Sequence, residues 1–295
     1  MKFKNKICIG APQFSGLYGI TNKNKKKLNL KEINNFFKIL KKKKIDFLDT
    51  ALSYKKAEKN IFLSKVNTSK FKIITKIPRP YKKKNYENKI IKEIINSKNK
   101  FKIKKFYAVL LHDSRSLKNS DEITKILNIF NLLKKKKLTK YIGFSIYDKK
   151  QYHTIIKYFN PDIIQVPANV FDRTFLTDRF LKEIKKKKIK LHCRSIFLQG
   201  LVLSNIKFIR KKFKTWVKNF YKWENFCNRN NHSKIELATN FILNYQSIDK
   251  IVVGFHNENE LYEFLKIKKI HTKLPNFINK KENSIEKLIK PYNWN

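Results

Sequence analysis

Eight times along this chain a short run of apolar, β-branched or aromatic residues gives way to a longer, Lys-rich segment with helical periodicity, and that rhythm restricts the fold more than any single motif does. The runs predict strands at about Ile7–Gly10, Asp46–Asp49, Phe71–Lys76, Phe106–Leu111, Tyr141–Ser145, Asp162–Val166, Lys190–Arg194 and Ile251–Gly254. Several are almost continuously hydrophobic, as strands covered on both faces must be. Eight βα units in 295 residues fit a closed α/β barrel, the (β/α)8 TIM barrel. An open doubly wound sheet is the competing architecture, but it calls for a GxGxxG turn after the first strand, and the sequence has none.

With 41% hydrophobic and 14% aromatic residues the chain can bury a large core. Its formal net charge of +47 points at first to a nucleic-acid or anionic-surface partner. Two observations oppose that reading. Only seven of the 69 basic residues are Arg, the side chain suited to bidentate phosphate and guanine contacts. The lysines also cluster at matched places: Lys41–Lys44, Lys134–Lys137 and Lys185–Lys188 each close a predicted helix just before strands two, five and seven. Positive charge is favoured at helix C-termini, so the excess reads as solvated helix ends on the barrel floor and as compositional drift toward Lys. No specific nucleic-acid partner is expected.

Cys8, Cys193 and Cys227 have no paired spacing, which argues against a disulfide framework and against a metal site. No apolar run is long enough to cross a bilayer and the first residues lack a cleavable signal pattern, so the expected location is the cytoplasm. No Pro-, Ser- or Gly-rich linker divides the sequence, which predicts one domain over residues 1–295. An insertion over about 204–231 carries aromatics at helical spacing and predicts extra helices after strand seven; a tail follows over 272–295. The six glycines fall at strand ends (Gly10, Gly143, Gly200, Gly254) or in the loop after strand one (Gly16, Gly19), where turns or close backbone approach are expected.

Four polar residues fall at or after the C-terminal ends of consecutive strands, where βα barrels place chemistry. Asp49 ends strand two in FLDTALSY, with Tyr54 in the loop beyond it; Lys76 ends strand three in IITK; His112 ends strand four in AVLLHD. Taken singly, each has an ordinary structural use: a cap, a packing ring, one more Lys, a core histidine. Together they form a constellation.

In these motifs the sequence resembles the aldo/keto reductases. The likeness runs through DTALSY with Glu58, ITK, LLHD, GFSIY, QVPANVFD, RSIFLQGL and VVGFHNENEL, in the family's order. The resemblance implies NAD(P)H-dependent reduction of a small-molecule carbonyl, with NADP the expected nucleotide and NAD the alternative. Such chemistry needs a hydride donor at carbon and a proton donor at oxygen, where negative charge develops. Tyr54 is the expected general acid/base, Lys76 the ammonium that eases phenol ionisation, Asp49 the partner of Lys76, and His112 the group orienting the carbonyl. By the same resemblance Ser145, Gln165 and Asn169 are expected near the nicotinamide, Arg194, Ser195, Phe197 and Gly200 along the loop after strand seven, and Gly254, His256 and Asn257 near the adenosine end. The sequence departs from the family at Lys55, where Gly is usual, at Arg194, where many members stack a Tyr, at His256 in place of Arg, and at Phe264 in place of Asn. APQF, LYGI, PANVFDR and SIFLQGL look most like bacterial members linked to surface-polysaccharide biosynthesis, which implies a keto-sugar or nucleotide-sugar substrate. The competing reading is a cofactor-binding regulatory or scaffold protein that has lost turnover.

Overall fold

The computed structural model describes residues 3–16, 18–20, 28–80, 85–117, 120–270, 272–278 and 285–294. Eight parallel strands close into a barrel in sequence order: β1 Ile7–Gly10, β2 Phe47–Asp49, β3 Lys72–Ile77, β4 Phe106–Leu111, β5 Thr139–Ser145, β6 Ile163–Pro167, β7 Lys190–Arg194 and β8 Ile248–Val253. Closure is made by β1 on β8, with Ile7 opposite Ile251 and Ile9 opposite Val253. Around the barrel run α1 Leu30–Lys42, α2 Lys55–Leu63, α3 Tyr86–Lys100, α4 Ser120–Lys135, α5 Lys149–Ile156 and α6 Asp178–Lys186, followed by α7 Ile206–Lys212, α8 Val217–Arg229, α9 Lys234–Leu243, α10 Glu258–Lys266 and α11 Ile285–Ile289. The expected TIM barrel is the observed one.

The strands read as continuous apolar runs because successive residues serve two cores. Cys8, Phe47, Ile74, Ala108, Leu110 and Ile163 fill the barrel interior. Their neighbours Ile7, Ile9, Leu48, Ile73, Val109 and Leu111 pack outward against the helix ring. Within the interior, strands β5 and β6 approach so closely that a Cβ at Gly143 would stand 1.9 Å from the Ile163 carbonyl oxygen, so only glycine fits there. The three cysteines are buried and unpaired.

Most strand boundaries fall within a residue or two of the sequence expectation; β8 differs more. It begins at Ile248 rather than Ile251, because Asp249 and Lys250 interrupt the apolar pattern at the barrel floor. Asp249 Oδ2 accepts the Leu191 N–H at 2.8 Å, beside an irregularity in the β7–β8 register.

The insertion holds α7 and α8. Its aromatics serve packing: Trp223 is wholly buried, donates through Nε1 to the Val202 carbonyl at 3.0 Å, and lies edge-on to Phe277 of the tail. Farther along the tail Tyr292 meets Tyr147 at the barrel rim, ring centroids 5.2 Å apart. Residues 279–284 and 295 of the tail, and 17 of the LYGI motif, lie outside the described residues.

The Lys runs do end helices, and they do more than solvate them. Lys44, Lys137 and Lys188 take left-handed φ values of 59°, 54° and 55° just past α1, α4 and α6. The next residue in each case closes a six-residue turn, with Ile45 N–H on Leu40 O at 2.9 Å, Leu138 on Leu133 O at 2.9 Å and Ile189 on Ile184 O at 3.0 Å. Lys65 and Lys102 have the same left-handed backbone after α2 and α3. Glycine normally occupies this position because a Cβ crowds the neighbouring carbonyl. Substituting Gly at Lys44, Lys137 or Lys188 is therefore expected to stabilise the fold by about 0.5–1 kcal/mol per site, read as a rise in the denaturant midpoint that adds across the three positions; a fall would show that Lys contributes more at these caps than its backbone strain costs.

Candidate active site

At the C-terminal ends of the strands lies a cavity of about 750 Å³, and the four candidate residues line one end of it. Asp49 closes β2 and Lys76 is the penultimate residue of β3, both nearly inaccessible at 3% and 2% exposure. The Lys76 ammonium makes a close ion pair with Asp49 Oδ1 and donates to the Thr50 carbonyl at 3.0 Å. From across the barrel Gln165 Nε2 donates to Asp49 Oδ2 at 2.7 Å. Each oxygen of the carboxylate thus has its own donor.

The loop after β2 is laid along β3 by Thr50 N–H on Ile74 O and Leu52 N–H on Lys76 O, at 2.8 and 3.0 Å. That places Tyr54 at the N-terminus of α2 with its hydroxyl 3.2 Å from His112 Nε2. Lys76 Nζ lies 5.8 Å from the centre of the same ring. His112 Nδ1 meets Ser53 Oγ at 3.1 Å, so both ring nitrogens are engaged, and the Tyr54 and His112 rings stand edge to face.

Electrostatics here differ from the sequence expectation in one respect. Lys76 was expected to ease ionisation of the phenol, yet burial first and the Asp49 carboxylate second push Tyr54 well above the usual phenol range. The Asp49 carboxylate that pairs with the ammonium offsets part of its pull on the phenol proton. Burial also drives His112 down to about 3, with Lys76 and Arg194 adding to the effect. At neutral pH the pair is accordingly a protonated phenol beside a neutral imidazole.

Eight of the other expected residues line the same cavity: Ser145, Gln165, Arg194, Ser195, Phe197, Gly200, Gly254 and His256. Two do not. Asn169 is wholly buried behind the wall, its Oδ1 accepting the Phe171 and Asp172 N–H groups and its Nδ2 donating to the Ser195 carbonyl at 3.2 Å. Asn257 caps α10 through the Glu260 N–H at 2.9 Å. The Asn169 amide and the Asn257 side-chain oxygen thus shape local backbone. Phe264 likewise packs in the core against Phe255 rather than facing the cavity.

Arg194 spreads over the Tyr147 ring at 4.3 Å and reaches Ser145 Oγ, Ser195 Oγ and the Ile146 carbonyl at 3.3–3.4 Å. The loop beyond it holds Ser195, Leu198 and Gln199 at φ of 61°, 47° and 54°, left-handed values that cost roughly 1–2 kcal/mol each for residues with a Cβ. At the far end His256 Nε2 meets the Tyr18 carbonyl at 2.9 Å and Nδ1 lies 3.4 Å from Glu260, whose hydrogen bond raises the imidazole's proton affinity. Two buried acceptors in the wall, Gln165 Oε1 and Gln13 Oε1, have no partner among the described residues. Gln13 lies flat against Gly254, where a Cβ would stand 1.9 Å from its Oε1.

The profile of the aldo/keto reductase family matches residues 6–280. The chain belongs to the aldo/keto reductase family. Among solved structures, glycerol dehydrogenase from Gluconobacter oxydans superposes with a TM-score of 0.65 at 15% identity, covering 98% of this chain and 93% of that one. A thermostable aldo-keto reductase in complex with the inhibitor epalrestat gives 0.66 at 15% identity, covering 96% and 94%. A search of curated proteins finds no match to this chain. Membership carries oxidoreductase chemistry on small-molecule carbonyl compounds, a class that generally uses NAD(P)H. Among the described residues no group of three or more His, Cys, Asp or Glu could hold a metal ion, and no helix is long and apolar enough to cross a membrane.

Ser53, Tyr147, Glu260 and Gln13 were missed by the sequence reading. For Glu260 a signal existed, since Asn257 followed three residues later by Glu is a helix-start pattern. Glu58 supports the site from below: its carboxylate accepts from Thr50 Oγ1 at 2.9 Å and Ser97 Oγ at 3.2 Å. Burial raises its pKa from 4.5 to about 7. A carboxyl that binds its proton more tightly when folded contributes stability that is full below 4.5 and lost as pH rises through about 7. Glu58→Gln removes that dependence. The variant is expected to gain on the parent by roughly 1–3 kcal/mol between pH 5 and pH 8, measured as the difference in urea unfolding free energy at the two pH values.

Proposed function

We propose that this chain is an NAD(P)H-dependent reductase that converts an aldehyde, ketone or keto-sugar to the alcohol, with Tyr54 as the general acid/base. The observation that carries the proposal is the Tyr54 hydroxyl set 3.2 Å from His112 Nε2 above the buried Lys76–Asp49 pair, at the mouth of a barrel in this family.

The cavity fits a dinucleotide in chemistry as well as size. The unpartnered Gln165 Oε1 is an acceptor for a carboxamide donor, and Ser145 stands beside it on β5 opposite Gln165 in the sheet register. Ser195, Phe197 and Gly200 line the middle, and His256 the far end. When bound, the reduced nicotinamide supplies the hydride, which no side chain can. The chain's own residues do the rest. Tyr54 holds the proton that the substrate oxygen takes as negative charge builds there, and its raised proton affinity keeps it loaded at neutral pH. His112, neutral, orients that oxygen. Lys76, fixed by Asp49 and Thr50, offers its positive charge to the phenolate left behind.

NADPH is the proposed donor and NADH the alternative. His256, held toward its cationic form by Glu260, favours a 2′-phosphate at that end. The Glu260 carboxylate opposes one. His256→Gln is expected to lower the preference for NADPH over NADH several-fold, read from nucleotide dissociation constants by protein fluorescence.

Tyr54→Phe is expected to reduce carbonyl turnover by about 10²–10⁴-fold while leaving NADPH binding unchanged by the same fluorescence titration. Full activity in that variant would remove Tyr54 from the mechanism. Tight nucleotide binding by the unsubstituted chain, with no turnover across a broad panel of carbonyls and sugars, would favour the regulatory or scaffold reading.

A further inference from the structure

At the opposite end of the barrel, where β7 and β8 begin, lies a second cavity of about 360 Å³. Its wall brings Lys6, Lys190 and Lys250 together with His192 and Asp249, none of which lines the cavity at the mouth. His192 and Lys250 are register partners on adjacent strands. His192 is wholly buried, and neither of its ring nitrogens has a hydrogen-bond partner among the described residues. A neutral imidazole carries one donor and one acceptor, and each left unmade in the interior forfeits the hydrogen bond it had to water. Folded chains leave few such groups, and each calls for an explanation such as a ligand or ordered water.

The amines reinforce the point. Among the described residues, the lysines that form ion pairs are Lys72, Lys76, Lys134, Lys234 and Lys290, so none of the three at this cavity has a carboxylate within 4.0 Å. Lys250 donates to the Asn5 carbonyl and lies 3.6 Å from the Phe47 ring centre. Lys6 reaches the Gln246 carbonyl only at 3.5 Å, and Lys190 stands 5.5 Å over the Tyr141 ring. Asp249, the carboxylate in the wall, already accepts the Leu191 N–H through Oδ2. Three ammonium groups against one carboxylate leave a surplus of positive charge in a half-buried recess, where solvent screening is weaker than at the exposed helix ends. A lysine-rich surface draws anions diffusely everywhere. Here a cavity, three lysines in its wall and an unpaired buried imidazole coincide.

We propose that this floor cavity binds a phosphoryl dianion, as inorganic phosphate or as a small phosphate monoester, held by Lys6, Lys190 and Lys250 and accepting a hydrogen bond from His192. A tetrahedral dianion offers oxygens to several ammonium groups at once and an acceptor to the imidazole N–H. The proposal is independent of the chemistry assigned to the mouth.

The test follows the His192 ring resonances by NMR in the full chain labelled with ¹³C/¹⁵N-histidine, assigned with His192→Gln. Inorganic phosphate and glycerol 1-phosphate are titrated separately against sodium chloride of matched ionic strength. A saturable shift with either phosphate, absent with chloride and weakened about tenfold or more in Lys250→Met, supports the site, and the tighter of the two ligands identifies its source. Lys190→Gln reads the same direction should Lys250→Met fail to fold. No saturable shift, an equal response to chloride, or an unaltered titration in the folded variants overturns it.

Discussion

The ion pair between Lys76 and Asp49 is the constraint around which the mouth of the barrel is arranged. Withdrawing two charges from water costs several kcal/mol per ion, and mutual attraction offsets this only when the remaining donors and acceptors are also satisfied. Here they are, by Gln165 on the far side of the barrel and by the Thr50 carbonyl. The pair therefore requires β2, β3 and β6 to end at matched heights, and it fixes the loop that carries Tyr54. Losing one partner would leave a buried charge uncompensated, at a cost of about 3–5 kcal/mol. Structure and chemistry are not separable at this point of the fold.

The architecture was legible because strands buried on both faces must be apolar on both faces, and eight such runs punctuated by helices leave little choice. Legibility failed where the barrel opens to solvent. At the start of β8, Asp249 and Lys250 interrupt the pattern because they face the floor, and the sequence rule for a covered strand does not apply to them. In the candidate site, Asp49, Tyr54, Lys76 and His112 could be placed at one cavity because strand ends and the loop after β2 set their positions. Ser53 and Tyr147 could not, since their roles depend on how loops fold back over the mouth. Asn169 and Asn257, placed near a ligand by the resemblance, do not line the cavity, and their side-chain oxygens accept backbone N–H groups.

Positive charge divides into two kinds. The runs Lys41–Lys44, Lys134–Lys137 and Lys185–Lys188 sit at helix ends, where the dipole and exposed carbonyls favour positive charge and solvent screens it. A smaller part is drawn inward: Lys76 is neutralised by design of the site, Arg194 lies on Tyr147 within the mouth, and Lys190 and Lys250 crowd the floor. The scarcity of glycine has a parallel effect on the backbone, with lysines in left-handed turns after five helices and Gly143 kept where the Ile163 backbone allows no substitute.

The three thiols divide the molecule by depth. Cys8 faces the barrel interior, Cys193 lies between barrel and helix ring, and Cys227 is carried by α8 of the insertion. Burial raises the proton affinity of all three, so the nucleophilic thiolate is scarce while the fold is closed. Each cysteine is thus a clock for one layer. The rate at which a thiol reagent reaches it is set by how often that layer opens, and a single labelling time course separates loosening of the insertion from opening of the barrel itself.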